Sequence, residues 1–256
     1  MKVQTVYDLI HTVAPFDTQM EGDNSGLLVG SPSREVRSIL FALDVTGPVI
    51  DEAAALGADL IVTHHPLMFS AIRSLTDETY EGRLIRRLVR EDISLIAAHT
   101  NLDGASGGTN DTLAALCGLV EITGEGFFRS GFLPEPMTVR AFADLLGENL
   151  ETTVRVMGPE DRMVRRVGLC SGSGSSEWIR ALEAGCDAFV SGEIRHHHAL
   201  AMADAGIAAF ECGHFATEEP GLAALAEALQ NSLNHVECNV RVFVSAVSAY
   251  SFPRTP

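Results

Sequence analysis

Six side chains of the kinds that hold first-row metals stand where apolar runs end in this chain. His64 and His65 close the run in DLIVTHHPLMF (59–69). His99 and Asp103 follow the run in ISLIAAHTNLD (93–103), and His214 and Glu218 follow the one in IAAFECGHFATE (207–218). Neutral imidazole suits zinc, iron, manganese, cobalt or nickel, and a carboxylate can span two ions, so this set has enough donors for a dinuclear centre. A histidine at the end of a strand is often only a hydrogen-bonded structural residue, and the HH pair alone leaves both readings open. Joined to HTNLD and HFATE, the pair favours metal.

Other segments compete for attention. EIRHHHAL (193–200), with His196, His197 and His198, reads either as a second metal cluster or as a polar helix start. Its offset from the preceding strand favours one histidine lining a pocket and the others facing solvent. Cys212 stands two residues before His214, but its alternation with Phe210 places it in strand packing. SGSGSS (171–176) and GASGGTND (104–111) precede helices and can cradle an anion, yet tight turns explain them equally well. Trp178 and LAALAEALQNSL (222–233) are most economically core and surface helix.

The elements that must position these residues alternate. VRSILFALDVTGPVIDEAAALGADLIVTHHPL (36–67) reads as strand, turn, helix, strand, with Pro48 in the first helical turn and Gly57 ending the helix. YEGRLIRRLVRE (80–91) follows as a helix with Leu84, Ile85, Leu88 and Val89 on its apolar side, and 93–98 as another buried strand. This pattern predicts an α/β protein with a largely parallel sheet, and ligands of such sheets gather beyond the carboxyl ends of the strands.

The pattern then recurs. VRRVGLCSGSGSSEWIRALEAGCDAFVSGEIRHHHAL (164–200) repeats strand, turn, helix, strand, with Gly185-x-Asp187 where Gly57-x-Asp59 stood and FVSGE where IVTHH stood. His214 and Glu218 likewise match His99 and Asp103. Such self-similarity predicts internal duplication: two related α/β lobes facing one another across a metal site. The Gly- and Pro-rich stretch at 124–137 suggests a boundary there, with a first lobe over 1–125 and a second over 126–256 whose C-terminal strand can return to the first. Pro220 predicts a helix start, which would place Glu218 at or just before its first turn.

Composition excludes several classes. The 256 residues are 46% hydrophobic, enough for one large core or two smaller ones, and 34 acidic against 18 basic residues leave a formal net charge of −16. On average that charge repels nucleic acid and anionic membranes. Lys2 is the sole lysine, which removes Schiff-base, pyridoxal-phosphate and P-loop chemistry. No stretch offers the roughly twenty apolar residues of a membrane span, and the N-terminus lacks a leader pattern, so a cytoplasmic address is expected. Cysteines 117, 170, 186, 212 and 238 are scattered without a C-x-x-C pair, which predicts small core residues rather than disulfides.

Over nearly its whole length the sequence resembles the dinuclear-metal-centre hexameric protein family, whose members carry the name type 2 GTP cyclohydrolase I. The motifs that carry the resemblance are DNSGLLVG (23–30), ALDVT (42–46), THHPLMF (63–69), AHTNLD (98–103) with GGTND (107–111), VSGEIRHH (190–197) and GHFATE (213–218). It implies metal ligands at His64, His65, Asp103, His214 and Glu218, with His99 and His197 lining the cavity as proton carriers. Two divalent ions per subunit, zinc, iron, manganese, cobalt or nickel, and a toroidal homohexamer are also implied. Glu193 stands where many relatives have Asp, and His196 where several have Tyr. The chain is similar to the short form of the family, without the domain that longer relatives insert between the lobes. The implied activity is metal-activated hydrolysis of a C–N bond in a nucleotide ring, such as that at C8 of the guanine of GTP. The alternative is a metal-handling or regulatory scaffold.

Overall fold

Largely apolar segments form the centre of each sheet, because a parallel strand is covered on both faces. In the computed structural model, which describes residues 1–235 and 239–247, these are β2 (Ser38–Ala42), β3 (Leu60–Thr63) and β4 (Ser94–Ala97), buried throughout and parallel. β1 (Gly26–Val29) joins β4 antiparallel, and β11 (Arg241–Val244) joins β2 parallel, giving the order β1-β4-β3-β2-β11. The C-terminal strand thus lies in the first sheet.

The first crossover follows the expected chemistry. Helix α2 (Gly47–Leu56) begins where Thr46 Oγ1 accepts from the Val49 amide at 3.3 Å, carries Pro48 in its first turn and ends at Gly57 with φ 62°. Helix α3 (Tyr80–Arg90) buries Leu84, Ile85 and Leu88. Val89 does not join them: it is 65% exposed. At about 100° per residue it falls roughly 40° beyond the edge of the stripe the other three define. Helix α1 (Val3–Val13) buries Val3, Val6 and Ile10.

A second sheet repeats the arrangement. β8 (Met163–Cys170), β9 (Ala188–Ser191) and β10 (Ala208–Glu211) are parallel, and β7 (Arg155–Met157) lies antiparallel beside β10 as β1 does beside β4. β6 (Arg129–Thr138) and β5 (Val120–Thr123) complete the order β5-β6-β8-β9-β10-β7. Helices α5 (Thr109–Leu116) and α6 (Val139–Asn149) come before β8 in the chain, and helix α7 (Trp178–Glu183) leads to Gly185 with φ 71°. The Asp59 carboxylate accepts from the amides of Arg37 and Ser38 at the start of β2, and Asp187 accepts from those of Arg165 and Arg166 in β8. The duplicated G-x-D therefore performs one task twice: a glycine turns the chain and an aspartate clasps the neighbouring strand.

Two compact units result, Met1–Leu102 together with the chain from Leu222 onward, and Asp103–Gly221. The divisions fall at 102/103 and 221/222 rather than in the Gly- and Pro-rich stretch, because that stretch is mostly β6, laddered to β8. Pro134 and Pro136 lie where its register shifts between Phe132 and Met137, an interruption that tolerates residues without an amide proton. Each unit has its own core, one around Leu40, Ile61 and Leu95, the other around Phe142, Phe210 and Val190 with a further cluster around Phe189. Among the described residues no helix is long and apolar enough to cross a membrane.

Candidate metal centre

In the first unit three imidazoles gather beyond the strand ends. His64 and His65 follow β3, and His99 follows β4 just before the short helix α4 (Thr100–Gly104). Their ring centroids are 5.1 Å apart for His64 and His65, 5.1 Å for His64 and His99, and 5.6 Å for His65 and His99. One ligand atom from each lies within 4.8 Å of the others, so this group can hold a metal ion.

Each ring is oriented through Nδ1. His64, fully buried, donates Nδ1–H to the Ala98 carbonyl at 2.9 Å. His65 Nδ1 bonds Asp44 Oδ1 at 2.8 Å, and His99 Nδ1 bonds Asp23 Oδ1 at 2.8 Å. Carbonyls and carboxylates accept only, so Nδ1 carries the proton and the lone pair is on Nε2, where it can meet a metal ion or a proton. Asp23 is itself tightly held. Burial alone would raise its carboxyl, but hydrogen bonds from Thr100 and His99, the charge of His99 and the Asn24 amide hold it down at about 2. It therefore stays an ionised acceptor at neutral and mildly acidic pH.

In the second unit the chain leaves β10 through Gly213, with φ 85°, and enters helix α9 (His214–His235) directly. The helix starts six residues before Pro220, which lies inside it, so His214 and Glu218 are an i, i+4 pair on one face. The expectation that Pro220 marks the helix start is corrected by this. His214 Nε2 stands 3.0 Å from Glu218 Oε2, while its Nδ1 bonds Glu193 Oε1 at 2.8 Å just beyond β9. Asp103 lies within α4 rather than on a loop, and its ligand oxygen is within 4.8 Å of that of Glu218. Glu218 and Asp103 are both buried.

The glycine turn at 171–174 has a structural role. Gly172 (φ 56°) donates its amide to Thr217 Oγ1 at 3.1 Å, and a Cβ there would meet Glu218 Oε1 at 1.9 Å. Gly174 donates to the Ser171 carbonyl at 3.1 Å, so the turn closes on itself. Gly172→Ala is expected to push Glu218 aside, destabilise the fold by about 1–3 kcal/mol and lower metal content. Thermal unfolding and metal analysis of the purified variant check this.

The histidine run behaves differently. His196 and His197 begin helix α8 (His196–Asp204) and are exposed, and His198 Nδ1 bonds Ser175 Oγ at 3.0 Å. His197 is not in any of the groups close enough to hold an ion among the described residues. Cys117, Cys170, Cys186 and Cys212 are buried free thiols, and burial, aided by the charge of Glu211, pushes Cys212 up to about 12. Cys238 lies outside the described residues. Leu222, Leu225, Leu229 and Leu233 are buried along α9. Asp23 and Asp44 in the first unit and Glu193 in the second hold the histidines of their own units, a task for which the sequence does not single them out. The signal for Asp44 was its place just after β2, one strand from His65.

Comparison with known proteins shows what the whole chain is similar to. Over 244 residues the chain is 33% identical to a Clostridium perfringens protein named GTP cyclohydrolase 1 type 2 homolog, covering 91% of this chain and 93% of that one. A Streptomyces coelicolor protein of the same name is 34% identical over 259 residues, covering 95% and 91%. A crystal structure of a Staphylococcus aureus protein superposes with TM-score 0.93 at 28% identity, covering 100% of this chain and 99% of that one. The family model described as Duf34/NIF3 (NGG1p interacting factor 3) matches residues 1–250, and the chain belongs to that family.

Proposed function

We propose that the protein binds two divalent metal ions per chain through His64, His65, Asp103, His214 and Glu218, and that it hydrolyses a C–N bond in a nucleotide ring, GTP being the leading substrate. The observation that carries this reading is the shared second partner of the histidines: His64, His65, His99 and His214 each have Nδ1 held by a carbonyl or carboxylate. That is how protein-bound metals keep their imidazoles in the coordinating tautomer. The name of the Clostridium and Streptomyces relatives supports the choice of reaction.

A bound divalent ion would supply Lewis acidity and bring the ionisation of water near neutral pH. The chain's own groups do the rest. His99, oriented by Asp23, exchanges a proton at Nε2, and His197 is the second proposed proton carrier. The subunit is proposed to assemble into a closed ring of six in the cytoplasm, without nucleic-acid partners. Light scattering giving a monomer at micromolar concentration would contradict the ring.

A second reading, metal handling without catalysis, draws support from the net charge of −16 and the single lysine, which oppose a triphosphate on average. The test separates them. Protein purified without added ions is analysed for metal, then loaded and given GTP. Release of a ring-opened product at useful rates is expected. Metal-replete protein inert towards GTP rejects the cyclohydrolase reading and favours the metal-handling one.

A further inference from the structure

Phe69 is a side chain that neither its packing nor the metal set explains. It is 62% exposed, although it stands beside two histidines of the first unit. Its ring lies 5.6 Å from that of His99 at an interplanar angle of 85°, and 6.4 Å from that of His65 at 47°. The backbone just before it is anchored, since Asn24 Nδ2 donates to the Met68 carbonyl at 2.8 Å. The adjacent Asp23 holds His99. One turn therefore sets the Phe69 backbone and the His99 ring together.

An aromatic face shown to solvent beside groups fit for chemistry is a platform for a planar ring, because every nucleobase has a π-face to stack. Charge points the same way. A chain with a net charge of −16 gains little from phosphate contacts on average, so affinity for a nucleotide has to come largely from its base. We propose that Phe69 is the stacking platform for the substrate's heteroaromatic ring, holding a purine beside His65 and His99. The proposal rests on the nucleotide reading given above and adds to it the residue that selects an aromatic substrate.

The experiment measures binding of GTP, guanosine and inorganic triphosphate to metal-loaded wild type, Phe69→Leu, Phe69→Ala and Phe69→Tyr by equilibrium dialysis, alongside kinetics and metal content. Leu keeps apolar bulk and Tyr keeps the ring. Phe69→Leu and Phe69→Ala are expected to bind GTP and guanosine about 10- to 100-fold more weakly, with Phe69→Tyr close to wild type and triphosphate binding unchanged throughout. KM should rise in the same ratio while kcat and metal content hold, the pattern of lost uniform binding. Wild-type affinity in Phe69→Leu and Phe69→Ala overturns the platform and leaves the hydrolase reading standing. Wild type that binds neither GTP nor guanosine overturns both. Binding that depends on the Phe69 ring, without turnover, upholds the platform and removes the hydrolase reading.

Discussion

Protein carrying both Asp103→Ala and Glu218→Ala is expected to retain at most a small fraction of the wild-type metal, and either single change to lose at least one ion. The two carboxylates are the only members of the proposed set able to bridge ions, and both are buried with their ligand oxygens within 4.8 Å of each other. Metal analysis after gel filtration reads the result, with circular dichroism to establish that the variant is folded. A folded double variant with full metal content would end the proposed ligand set.

The second large effect belongs to His99. Changing it to Asn should lower turnover by roughly two to four orders of magnitude, the usual range for a general acid or base, while both ions stay bound. His99 can also join His64 and His65 around an ion, so metal content decides between roles. Loss of metal with loss of activity makes it a ligand. Full activity removes it from the mechanism.

The strand-end histidines were legible because an apolar run that stops at a histidine says where the side chain lies: at the carboxyl end of a buried strand. The duplicated G-x-D was legible for the same reason, each residue having one local task, a left-handed turn or a clasp on a neighbouring amide. Pro220 misled because proline at a helix start is only a preference, and the helix begins instead where Gly213 turns the chain into His214. The Gly- and Pro-rich stretch misled because its prolines sit at a register shift inside a paired strand, which local composition cannot distinguish from a linker. Asp23 was harder still. It meets His99 across 76 positions of chain, and no periodicity in the sequence announces such a pair.

The anchored Nδ1 atoms have a consequence for how metal and folding relate. In a small zinc domain the ligands become ordered only as the ion arrives, so chelation unfolds the chain. Here the hydrogen bonds that orient His64, His65, His99 and His214 come from backbone and carboxylates of the folded units themselves. Rotamer freedom of the imidazoles is surrendered during folding rather than during coordination, and each unit has an apolar core of its own. Exchange of the proposed ions would be an event on a standing framework, in which one ion could leave and another enter without the chain refolding between them.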